Sequence, residues 1–235
     1  MYDPLELSSR INSKIVKDKT LKKYYRFRCA KYYGGVSTVD VVGCNMYCHF
    51  CWVHPKFRYC FQKVGKFYTP GYVGQRLIQI AQKANFKLLR ISGGEPTIGK
   101  PHLISLLKYL NNYPYQFILE TNGMLLSNEN YVKEFKDINN IHVRIALKAG
   151  TPETFSKVTG AVLEAYYYPF KALKFLLKYK ISCHPSIIVD FCPKKDFQFL
   201  LQVLQKIDPS LINKLEYESL IFYPHVKKGL EKIGY

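Results

Sequence analysis

Cys44, Cys48 and Cys51 fall within eight residues in the order Cys-x3-Cys-x2-Cys, directly after the apolar run Val36–Gly43. Thiolates are soft ligands, suited to iron–sulfur clusters or to zinc. A cubane cluster has four irons and ordinarily takes four cysteines, so a loop offering three leaves one iron open. An open iron marks a catalytic cluster rather than an electron carrier. Structural zinc is the competing reading. It wants four ligands, usually as two spaced pairs, so His49 or His54 would have to complete the set.

A loop of this kind needs rigid elements behind it. The apolar patterning predicts strands over 36–43, 87–92, 116–121, 141–147, 182–190 and 215–221. Helices are expected over about 72–85, 101–110, 130–135, 169–179 and 195–207, and Thr151-Pro152-Glu153 is a further helix start. Six strands alternating with helices imply an α/β fold built of parallel βαβ units. Six units are too few for a closed eight-fold barrel and suit an open, partial (β/α)6 barrel. Residues 1–35 read as a basic N-terminal extension, with a short helix over Leu5–Val16, ahead of a barrel domain spanning 36–235.

In parallel α/β folds chemistry gathers beyond the carboxyl ends of the strands. The first strand delivers the cysteines there. The second ends in Ser92-Gly93-Gly94-Glu95-Pro96. Its glycines permit close backbone approach to a ligand, and Glu95 could accept hydrogen bonds from an ammonium group. The third ends in Glu120-Thr121-Asn122-Gly123, a turn signal that carries a carboxylate. The fourth ends in Ala146-Leu147-Lys148. The fifth ends near Val189 and Asp190, with apolar Ile187 and Val189. The sixth runs into Phe222-Tyr223-Pro224-His225.

The cysteine spacing, with Phe50 just before the last cysteine, resembles the motif of the radical S-adenosylmethionine (radical SAM) superfamily, and 93–96 resembles its Gly-Gly-Glu-Pro motif. Residues 119–123 are similar to the Asp-Thr-Asn-Gly stretch of pyruvate formate-lyase activating enzymes, with Glu120 replacing Asp. Ala146 stands where that family often has an acidic residue, and His225 is displaced by one position from the family's Pro-Tyr-His. The resemblance covers about residues 36–226. It implies that Cys44, Cys48 and Cys51 hold a [4Fe–4S] cluster whose open iron is chelated by S-adenosylmethionine (SAM). It further implies that Gly93, Gly94 and Glu95 orient the methionine end, and that Glu120 and Asn122 lie at the ribose. Lys148 would pair with the SAM carboxylate, Phe50 and Val189 would neighbour the adenine, and His225 would reach the cofactor. The implied chemistry is reductive cleavage of SAM to a 5′-deoxyadenosyl radical that abstracts hydrogen from a substrate. A low-potential electron donor, ferredoxin or flavodoxin, follows from it.

The substrate is open to several readings. One is a protein glycyl residue, as in activating enzymes, or another macromolecule. A second is RNA, since some tRNA-modifying radical SAM enzymes carry the same Cys-Trp step as Cys51-Trp52. The net charge of +18, from 35 Lys+Arg against 17 Asp+Glu, favours acidic partners. The footprint would be the basic aromatic stretch 22–33 together with Lys56, Arg58, Lys63 and Lys66. The same stretch also reads as an edge strand or a strap with a solvated face. A third reading is a non-catalytic zinc or iron–sulfur module that binds nucleic acid. Cys29, Cys60, Cys183 and Cys192 could hold a second cluster, but their spacings show no paired motif. No apolar run approaches the roughly 18 residues of a membrane span, and the start Met1-Tyr2-Asp3-Pro4 lacks a signal-peptide layout. With an odd count of seven cysteines, a reducing, cytoplasmic setting is expected.

Overall fold

The computed structural model describes all of residues 1–235. In chain order its elements are α1 (Pro4–Ile15), β1 (Val16–Lys17), β2 (Leu21–Ala30), β3 (Val36–Val41), α2 (Pro55–Tyr59), β4 (Lys66–Tyr68), α3 (Pro70–Ala84), β5 (Leu88–Gly93) and α4 (Lys100–Leu110). There follow β6 (Gln116–Thr121), α5 (Glu129–Val132), β7 (Ile141–Leu147), α6 (Pro152–Thr159), α7 (Tyr168–Lys178) and β8 (Ser182–Ile188). The chain finishes with α8 (Lys194–Ile207), α9 (Ser210–Asn213), β9 (Glu216–Glu218) and α10 (Pro224–Glu231). One sheet runs in the order β1-β2-β3-β5-β6-β7-β8-β9 without closing, and β4 pairs with β2. The six strands from β3 to β9 along that path are parallel. This is the open partial barrel expected from the alternation.

Side chains alternate across each strand. Val39, Val41, Leu89, Ile91, Phe117, Leu119, Val143, Ile145 and Ile187 are sealed in one core with the helices. The other set, Thr38, Asp40, Arg90, Ser92, Glu120, Arg144 and Glu216, faces inward on the concave side and is joined by its own hydrogen bonds. Helix starts follow their capping chemistry. Thr69 accepts from the Tyr72 N–H ahead of α3, and Thr151 from the Thr154 N–H ahead of α6, each followed by proline in the first turn.

Three expectations need correction. The fifth strand stops at Ile188, and Val189–Phe191 form a 3₁₀ turn instead. The sixth is only three residues long, and α10 follows where no helix was expected, although Pro224 marks its first turn. The basic aromatic stretch is only in part a solvated face. β2 lies antiparallel to β3, and its first half, where β1 and β4 also pair, buries Lys22, Lys23 and Tyr24, whereas Arg26, Cys29, Tyr32 and Tyr33 are exposed.

Candidate active site

The cysteine loop, 44–51, leaves the carboxyl end of β3 and is anchored from several directions. Asn45 donates to the Pro4 carbonyl at 3.2 Å and to Ser8 Oγ at 2.8 Å on α1, and accepts from Asn122 Nδ2 at 2.8 Å. The His49 N–H donates to the Val158 carbonyl of α6 at 3.0 Å. The Tyr2 hydroxyl receives the Tyr47 N–H at 2.7 Å. On the outer side α10 packs so closely that a Cβ on Gly229 would lie 2.1 Å from the His49 carbonyl oxygen. Burial pushes the Cys44 thiol well up, aided by nearby Glu95 and the other two thiols. Burial likewise raises Cys48 to about 11, against the pull of Lys148 and Arg58.

The Gly-Gly-Glu-Pro turn is docked on the start of that loop. The Gly94 N–H donates to the Val41 carbonyl at 2.9 Å and the Glu95 N–H to the Gly43 carbonyl at 2.7 Å. Gly93 has φ +95°, and a Cβ on Gly94 would sit 1.9 Å from the Gly43 oxygen. Only glycine fits at either position. Glu95 is also a structural residue. Its carboxylate is buried and accepts from the Thr97 N–H, the Thr97 hydroxyl, the Thr121 hydroxyl and the Asn122 N–H, at 2.6 to 2.9 Å. It is thus the tie between the turn and β6. Behind it, buried Lys22 Nζ donates to the carbonyls of Glu95, Pro96 and Ile98.

Asn122 is similarly committed, bridging to Asn45 and accepting from the Met124 N–H. Glu120 accepts from Tyr33, Arg90 and Ser92 on the concave face. Arg26 and Arg28 both pair with Asp40, and Arg144 pairs with Glu216 and Glu218. Two cations on this face lie against exposed aromatic rings: Arg28 at 6.0 Å from Trp52, and Arg90 at 4.9 Å from Tyr32. Phe50 packs against Phe191 at 4.9 Å between centroids, so its ring belongs to the core beside the loop. Ile187 also lies in that core, whereas Val189 is exposed at the strand end. His225 reaches the loop, its Nε2 donating to the carbonyls of Cys51 and Trp52 at 3.2 and 3.1 Å. Lys148 stands near Cys48 and takes part in none of the eight ion pairs.

The Radical SAM superfamily model matches residues 38–198, more than half of the chain. This chain belongs to the radical SAM superfamily. Its cofactors are a [4Fe–4S] cluster and SAM. Among curated relatives it is 29% identical over 197 residues to a probable GTP 3′,8-cyclase of Methanococcus aeolicus, covering 74% of this chain and 62% of that protein. The chain thus spans about three fifths of that relative's length. In fold it is similar to TYW1 with a lysine-pyruvate adduct bound (TM-score 0.58, 16% identity, 84% of this chain and 72% of that one). It is also similar to Streptococcus suis SuiB bound to S-adenosylmethionine (TM-score 0.54, 13% identity, 81% and 51%).

The residues fit these cofactors. Cys44 lies close enough to Cys48 and Cys51 for their charges to raise its pKa, so one loop presents three thiols together. In a cubane each of three thiolates binds a different iron and one iron stays open. The other four cysteines are dispersed: Cys29 on β2, Cys60 after α2, Cys183 in the core of β8 and Cys192 after its turn. Asn45 is a site residue that the sequence reading does not name, although it lies inside the cysteine motif; its partners come from α1 and the turn after β6. Arg58, expected in a nucleic-acid footprint, is instead buried against the Val53 and Cys48 carbonyls.

Proposed function

We propose that the chain is a radical SAM enzyme acting on a nucleotide-type substrate held on the concave face. Cys44, Cys48 and Cys51 are its cluster ligands. When bound, the cluster and SAM supply a 5′-deoxyadenosyl radical that abstracts hydrogen. The chain's residues do the rest. The backbone of Gly93 and Gly94, freed of side chains, receives the SAM amino group, while Glu95 holds that backbone in place. Lys148 pairs with the SAM carboxylate, Glu120 and Val189 border the ribose and adenine, and His225 fixes the loop that carries Cys51. An electron donor such as ferredoxin or flavodoxin supplies the reducing electron, in the reducing cytoplasm suited to seven free thiols.

The observation carrying the substrate class is the Arg28–Trp52 pair, at the residue after Cys51, with the exposed Tyr32 ring as a second stacking surface on the same face. A guanidinium beside an exposed ring offers one contact for phosphate and another for a base. The GTP named for the curated relative is of that chemistry. Three basic footprint residues for an RNA, Lys22, Lys23 and Arg58, are buried, and a protein glycyl residue needs neither ring nor cation.

The test is deuterium transfer. Purine nucleoside triphosphates deuterated in the ribose, a short RNA and a glycine-deuterated peptide are each incubated with reduced enzyme and SAM. Label from the nucleotide in 5′-deoxyadenosine supports the proposal. Label from RNA, with affinity falling steeply as salt rises, or from the peptide instead would reassign the substrate.

A further inference from the structure

Arg58 on α2 is buried, yet it has no acidic partner. Its Nε donates to the Val53 carbonyl at 2.9 Å, and one terminal nitrogen donates to the Cys48 carbonyl at 3.1 Å. The same nitrogen reaches the Tyr59 hydroxyl, and the guanidinium lies 4.6 Å from the Tyr59 ring. Tyr59 in turn donates to the Met46 carbonyl at 3.2 Å. Two carbonyls of the cysteine loop are therefore held by this pair of side chains. Arg58 enters none of the eight ion pairs. A buried cation without a counter-charge is costly. Burial works against its charge, and what favours that charge is the Cys51 thiol first, then Tyr59, Cys44 and Cys48.

We propose that Arg58 is the built-in counter-ion of the cluster and raises its reduction potential. The proposal rests on the assignment of Cys44, Cys48 and Cys51 as ligands. Three thiolates around a core of charge 2+ leave one net negative charge, and adding one electron makes it two. No bond is made or broken in that step; the electron comes from the external donor. A fixed positive charge stabilises the doubly negative state more than the singly negative one, so it favours reduction. Charge and burial are among the levers that set cluster potentials. Arg58 is a positioning residue in this account, since it acts through the Cys48 carbonyl and through its field, touching neither SAM nor substrate.

The experiment compares wild type, Arg58→Gln and Arg58→Lys, each reconstituted anaerobically with iron and sulfide and studied without SAM, so that Lys148, present in all three, contributes the same field to each. Iron and sulfide are counted, and the reduced cluster's EPR signal is followed through a redox titration. Arg58→Gln should shift the reduction equilibrium at least tenfold toward the oxidised state, a fall of 59 mV for one electron. Arg58→Lys should stay within threefold of wild type. Equal potentials for wild type and Arg58→Gln overturn the proposal. Iron loading by Arg58→Lys but not by Arg58→Gln supports the need for charge. Failure of both to load makes Arg58 a folding residue and also overturns it. Wild type that assembles no four-iron cluster removes the ligand assignment itself, an outcome distinct from all the others.

Discussion

The strand ends and the concave face beneath them are built on opposite plans. At the strand ends polar side chains are spent on the protein. Glu95, Asn122, Asn45 and Lys22 are all buried and joined to backbone or to one another. On the concave face the charged groups are matched in pairs, Asp40 with two arginines, Glu120 with Arg90, Glu216 and Glu218 with Arg144, and several stay partly open. The first plan makes a rigid cradle whose ligand-facing atoms are sulfur and backbone. The second makes a surface whose partners can be exchanged for those of a substrate. In the proposed function the concave surface, rather than the cradle, carries this chain's substrate specificity.

The largest break of this contrast is Gly94→Ala. Its methyl would overlap the Gly43 oxygen, forcing the turn off β3. We expect a loss of about 3 kcal/mol, the upper range for overpacking, together with loss of SAM binding, read by denaturant unfolding and calorimetry. Next, Glu95→Ala strands four buried donors and should cost about 2–3 kcal/mol. Glu218→Ala, with a half-exposed carboxylate and with Arg144 still paired to Glu216, should cost under about 1 kcal/mol yet weaken substrate binding. The reverse order of stabilities would erase the distinction between the two regions.

A smaller effect is expected at Lys148, which lies at the cradle but is tied to nothing. Lys148→Ala should leave unfolding unchanged and weaken SAM binding about tenfold, or ~1.4 kcal/mol, measured by calorimetry on the loaded protein. The smallest concerns pH. Burial would raise the Glu216 carboxyl, but hydrogen bonds from His184 and Arg144 outweigh it and hold it at about 2. Its folded pKa lies below its unfolded value near 4.5, so its contribution is present above 4.5 and lost as pH falls toward 2. Glu216→Gln should therefore flatten the acid limb of stability over that interval, seen in urea midpoints between pH 5 and 2. An unchanged acid limb would mean that the concave pairs do not hold charge as described.

What could be read in the chain divides along the same line. The cysteines and Gly93–Glu95 are local signals, and alternation of apolar segments is enough to place both at one sheet edge. The structural ties of Glu95 are not legible in the sequence because Thr121 and Asn122 lie at the end of the next strand, and no spacing announces a side chain that turns back into the protein. Lys22 and Lys23 look like surface charge until β2 is known to lie within the sheet. Phe50 shows the same limit: its place beside Cys51 is local, whereas its contact with Phe191 is a long-range event. The concave pairs, Arg144 with Glu216 above all, join residues 72 positions apart and become visible only once register is fixed.

The most direct test of the account is reductive cleavage of SAM. Protein reconstituted anaerobically and reduced with dithionite should convert SAM to 5′-deoxyadenosine and methionine, and Cys48→Ala should abolish that conversion while remaining folded. A wild-type protein that carries a [4Fe–4S] cluster but neither binds nor cleaves SAM, or one that retains zinc in place of iron, would contradict it.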